Sequence, residues 1–170
     1  MYEACKIGKT KIVELLLKHY SPEESGLNFK NEWDRTPFMV ACINGHKDIV
    51  KLLYHHSGGN RGNIDLNAKD FKGWTSFMLA CIRGHKDIVK LLLDFSGGNI
   101  DFNAEDRYLG RTPFEWACIR GHKDVVKLLE NYHNNKDKPT RRTRKGVPTK
   151  NKAWSNKVET IVNLRRNPVD

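Results

Sequence analysis

The 170-residue chain carries 30 Lys/Arg against 20 Asp/Glu, a formal net charge of +10, with four cysteines and a mean hydropathy of −0.66. Its apolar runs are only a few residues long, which excludes a membrane-spanning helix, and the N-terminal MYEACKIGKTK lacks the apolar segment of a signal peptide. The charge is uneven: residues 134–170 hold 11 Lys/Arg against 3 Asp/Glu and the remainder 19 against 17, so a nearly neutral body precedes a basic tail.

In chain order, Ala4-Cys5-Lys6-Ile7-Gly8-Lys9 comes first, and the string CI-x-GHKD then occurs at Cys42–Asp48, Cys81–Asp87 and Cys118–Asp124. The four cysteines stand 37, 39 and 37 residues apart, a period that predicts a repeat array. Residues 1–27 form a partial first unit in which Met1 aligns with Phe38. Lys6, Lys9, Lys11, Glu14 and Lys18 give it a polar outer face, as an N-terminal cap requires; the alternative is the cut edge of a longer array. Full units follow at 28–66, 67–102 and 103–133.

Each full unit predicts a turn followed by two short helices. Thr36 and Thr112 are placed to cap the first helix, and Pro37 and Pro113 to occupy its first position, where the missing N–H costs nothing. Ser76 stands in place of that proline in the third unit. Ala41, Ala80 and Ala117 permit close helix approach, and Gly45, Gly84 and Gly121 end the first helix. The following I/V-V-x-L-L pattern is apolar at helical spacing.

With these residues the chain resembles the ankyrin-repeat family over residues 1–133, following D-x-x-G-x-T-P-L-x-x-A-x-x-x-G-H-x-x-x-V-x-x-L-L. The resemblance implies an all-α solenoid of stacked helix–turn–helix units with β-hairpin fingers on one side. It also implies non-catalytic protein binding through the fingers and the concave face of the first helices. Met39, Met78 and Glu115 replace the histidine that often follows T-P-L and ties repeats together, which puts those bonds in question. Asp34 replaces the turn glycine of the second unit. Residues 21–26, 57–63 and 96–99 lengthen the repeats beyond about 33 residues and are expected to be surface loops.

The Cys-x-x-x-His spacing invites a zinc reading. The resemblance points elsewhere: the cysteines belong on the buried face of the first helix, and His46, His85 and His122 hold the loop at the family's Gly-His position. Cysteines one repeat apart are too distant for disulfides, which predicts free thiols and an intracellular, cytoplasmic or nuclear protein. No catalytic constellation or phosphate loop stands out, so no enzyme, metal or cofactor is expected.

The family's partner-contacting positions fall here on Trp33, Arg35, Phe71, Lys72, Trp74, Tyr108 and Arg111 of the fingers. On the first helices they fall on Ile43, Asn44, Ile82, Arg83, Ile119 and Arg120. Trp, Tyr and Arg are enriched at binding hot spots. The three isoleucines form either an exposed apolar ladder or a set tucked between helices. Trp33 and Trp74 are read as contacts whose alanine variants lose binding with little loss of stability, and Trp116 as core. A monomer with a protein partner and no membrane association is expected.

The tail cluster Lys138, Arg141, Arg142, Arg144 and Lys145 fits an import signal or phosphate contacts, the basis of an alternative nuclear or nucleic-acid-associated adaptor. Trp154, Val158, Ile161 and Val162 lie on one face of a possible short helix at 152–165, read as a cap on the last repeat or a docking motif.

Overall fold

Thr36 begins the second unit as a helix cap: its Oγ1 accepts from the Met39 N–H at 3.3 Å, and Pro37 holds the first helical position. Thr75 and Thr112 repeat the device, and Glu115 turns the last into a capping box by accepting from the Thr112 N–H at 2.8 Å. The first helix of each full unit ends at a left-handed glycine, with φ of 80° at Gly45, 73° at Gly84 and 80° at Gly121. The next histidine N–H then closes back on Ala41, Ala80 or Ala117 at 3.0 Å. The same carbonyls also accept from the capping glycine N–H groups, so each one closes the helix end twice.

The protein, seen as a computed structural model, is described over residues 1–21, 26–56, 64–95 and 100–136. Four first helices, α1 (Tyr2–Lys6), α3 (Pro37–Asn44), α5 (Ser76–Arg83) and α7 (Pro113–Arg120), stack in one layer. The second helices, α2 (Thr10–His19), α4 (Lys47–His56), α6 (Lys86–Phe95) and α8 (Lys123–Lys136), stack behind them. The layers are joined by an apolar seam. Ile49, Val50 and Leu53 of α4 and Ile88, Val89 and Leu92 of α6 are buried, on one face of each helix. Burying each such side chain is worth roughly 1.5–3 kcal/mol. Phe38, Phe77 and Phe114 fill the space beneath the caps.

Between units the chain forms turns, and no β-strand occurs among the described residues. One side chain organises each turn. Asn31 accepts from the Trp33 and Arg35 N–H groups, Asp70 from those of Lys72 and Trp74, and Asp106 from those of Tyr108 and Leu109. Adjacent fingers are joined by Phe71 N–H to Trp33 O at 3.2 Å and Arg107 N–H to Lys72 O at 3.0 Å. Asp34 adopts the left-handed conformation, φ 57°, that Gly73 and Gly110 take in the other two turns. An aspartate tolerates that region better than most residues.

The outer face of the first unit is mixed. Lys6, Lys9, Lys11, Glu14 and Lys18 are exposed, and so are Ile7, Ile12 and Leu15. The last helix runs to Lys136, three residues past 133. The tail cluster at 138–145, the helix expected at 152–165 and most of each lengthened loop lie outside the described residues.

Candidate functional site

Arg35 and Lys72 from two turns, with Trp74, meet Ile43 of α3, Leu79, Ile82 and Arg83 of α5, and Arg120 of α7 around one cleft of about 310 Å³. The fingers and the first helices therefore share one concave face. Two of its lining residues, Ile82 and Trp74, belong to a small separate core in which Met78, Ile82 and Trp116 are buried and Trp74 packs against them. The two indoles meet edge to face, with centroids 5.8 Å apart and planes at 78°. Trp116 Nε1–H donates to buried Asp106 at 2.8 Å. Burial pushes that carboxyl up, but N–H donors from Leu109, Trp116, Tyr108 and Arg111 together hold it below its ordinary value.

Eight of the thirteen predicted contact residues fall into three groups. Trp33 and Tyr108 stand exposed at the fingertips, at 46% and 69%. Lys72, Arg111 and Arg120 lie over the rings of that small core, and Arg83 lines the cleft. Lys72 Nζ lies 4.8 Å from the Trp74 centroid, and the Arg111 and Arg120 guanidinium carbons lie 5.2 and 5.7 Å from that of Trp116. The third group works within the fold. Arg35 Nε donates to Asp70 at 3.1 Å across the repeat boundary. Asn44 Nδ2 turns back to the Val40 carbonyl at 3.0 Å.

The isoleucine positions diverge. Ile82 is buried against Trp116, Ile43 is half-buried in the cleft, and Ile119 is 37% exposed, so they do not form a uniform exposed ladder. Trp74 is half-buried and packed, so its removal is expected to cost stability as well as contact area. Phe71 is half-buried beneath Lys72, 5.4 Å from its Nζ. Leu79 of the cleft wall was not expected there; its place on the first helix, three residues before Ile82, is the signal that marks it.

The repeated cysteine and histidine point in different directions. All four cysteines are buried, and none is in a disulfide among the described residues. Burial pushes Cys5 up to about 12 and Cys42 and Cys81 well above the usual thiol range, keeping them protonated and unreactive. His46, His85 and His122 instead reach the preceding repeat, Nε2 bonding to Lys6 O, Ile43 O and Ile82 O at 3.1, 2.8 and 2.9 Å. Among the described residues no group of three or more His, Cys, Asp or Glu is placed to hold a metal ion. Nor is any helix among them long and apolar enough to cross a membrane.

The family described as ankyrin repeats (3 copies) matches residues 1–70 and 60–140. Such repeats generally serve protein–protein interaction and are typically non-catalytic. No curated protein matches the chain.

Proposed function

The chain belongs to the ankyrin-repeat family, and from that premise we propose that it binds another protein, without catalysis, through its fingertips and the concave face of its first helices. The observation that carries this is the cleft itself, which joins residues of two fingers and three first helices into one surface. Exposed Trp33 and Tyr108 on the turns supply rigid aromatic anchors of the kind that dominate interface energies. Half-buried Asn31 and buried Asp106 accept from the Trp33 and Tyr108 N–H groups and fix the turns that carry those anchors, which lowers the ordering cost of binding.

The test is capture from cell extract with the full-length chain, its Trp33→Ala/Tyr108→Ala variant, and nuclease-treated extract in parallel. A protein retained after nuclease treatment and lost with the variant is the expected result. Capture that survives the variant and vanishes with nuclease would instead favour the nucleic-acid adaptor acting through Lys138, Arg141, Arg142, Arg144 and Lys145.

A further inference from the structure

We propose that the cleft between α3, α5 and α7 recognises an extended acidic peptide segment of the partner protein, with carboxylates about three residues apart. This rests on the protein-binding reading and names the chemistry of the partner.

Charge is the first reason. Lys72, Arg83 and Arg120 all line the cleft, and no carboxylate does. Among the described residues none of the three has an ion-pair partner, whereas the charge of Arg35 is met by Asp70 at 3.1 Å. Cations gathered around a concave surface raise the local concentration of anions and repel cationic partners. The body as a whole is nearly neutral, at 19 Lys/Arg against 17 Asp/Glu over residues 1–133, so this is a local concentration rather than a general basic coat.

Register is the second. Arg83 and Arg120 hold equivalent places one repeat apart, each the last residue of its first helix before the left-handed glycine. Neighbouring helices pack about 8–10 Å apart. A polyproline II segment rises about 3.1 Å per residue with about three residues per turn, so carboxylates at i and i+3 fall on one face about 9 Å apart and match successive arginines. Asn44 holds the same place in the second unit but is folded back on its own helix, so the charged track has two rungs there, not three. Ile43, Ile82 and Trp74 give the stems of such side chains an apolar floor.

Other occupants fit less well. The chain's own tail, with 11 Lys/Arg against 3 Asp/Glu, is repelled by the same cations. Single-stranded nucleic acid calls for a row of exposed rings and a continuous basic groove. Here one indole is half-buried and its neighbour is buried within the small core.

The test uses the full-length chain and three fluorescein-labelled 12-residue peptides: glutamate at every third position, glutamine at those positions, and the same glutamates in one contiguous block. A charge-matched oligothymidylate is the fourth probe. Proteins are wild type, Arg83→Glu/Arg120→Glu, the milder Arg83→Gln/Arg120→Gln, and Arg141→Glu/Arg142→Glu/Arg144→Glu, with folding checked by melting. The expected result is that the spaced peptide binds wild type and the tail variant alike, and about tenfold or more weaker to both cleft variants. Equal binding to cleft variants and wild type, loss with the tail variant, or no binding of the spaced peptide would overturn the proposal. So would equal binding of the glutamine or contiguous peptide, or tighter cleft-dependent binding of the oligonucleotide. Capture by the fingers is read in a separate experiment, so failure of the acidic-peptide proposal is distinguished from failure of the protein-binding reading.

Discussion

The ring of His85 occupies the space that a Cβ on Gly45 would need: such an atom would lie 2.9 Å from His85 Cε1. From that position His85 Nε2 bonds to the Ile43 carbonyl at 2.8 Å. The same arrangement pairs His46 with Gly8 and His122 with Gly84. One glycine thus does two things. It ends its own helix in a left-handed turn and admits the imidazole of the next repeat. This explains how the stack is tied although Met39, Met78 and Glu115 replace the histidine often found at that helix start. The methionines are buried, and Glu115 caps its own helix.

Gly45→Ala is therefore expected to cost more than Gly26→Ala. Both glycines have positive φ, 80° and 71°, so both variants carry the left-handed penalty of about 1–2 kcal/mol. At Gly26 a Cβ meets only Phe29 Cβ at 3.8 Å, ordinary contact, whereas at Gly45 it displaces His85. Urea unfolding of both variants, and of Gly45→Ala/His85→Ala, separates the terms. Equal losses for the two alanines, or no coupling in the double variant, would show that the ring has room to move aside.

Ser76→Pro should stabilise the protein. Ser76 is buried at the first position of α5, and its Oγ has no hydrogen-bond partner. Pro37 and Pro113 occupy that position in the neighbouring units. Proline removes the stranded hydroxyl and restricts the unfolded chain, for an expected gain of about 1 kcal/mol. A lower denaturation midpoint would mean that the Ser76 backbone N–H makes a bond the fold needs.

Trp74→Ala should lose about 1–3 kcal/mol of stability, while Trp33→Ala should fall within about 0.5 kcal/mol of wild type. Trp74 braces Trp116, and truncating it opens the small core that holds Ile82 and Met78; Trp33 stands exposed at its fingertip. Parallel thermal melts decide this. Indistinguishable melting temperatures would return Trp74 to the class of free contact residues.

That tryptophan marks the limit of what the chain reveals before it folds. Helix starts and stops were legible because Thr36, Pro37 and Gly45 act on neighbouring backbone, within the range a local pattern records. The roles of Trp74, Ile82 and Asp106 depend on which side chain of the next repeat or turn arrives beside them. Trp33 and Trp74 look alike in the sequence, yet only Trp74 meets an indole across the repeat boundary. Likewise Arg35 reads as a contact residue until Asp70 is placed against it. Ankyrin-like spacing locates the concave face, but pairing between repeats decides which of its residues remain available to a partner.

Asp106 should make stability fall in acid. Its folded carboxyl is held below the ordinary value, so its contribution is fully present above the unfolded range, near pH 4. Stability is lost as pH falls from there through the folded value, where protonation weakens the acceptor for Trp116 Nε1–H and the turn N–H groups. Asp106→Asn removes this titration. It keeps an acceptor for the turn but, with its amide facing Trp116, sets donor against donor, so the variant should be less stable at neutral pH by about 1–3 kcal/mol. Denaturation midpoints measured from pH 7 to pH 3 should therefore converge for wild type and variant as acid is added. A gap that stayed constant with pH would show that Asp106 does not titrate differently in the folded and unfolded chain, and that its bonds to the turn and to Trp116 hold without the charge.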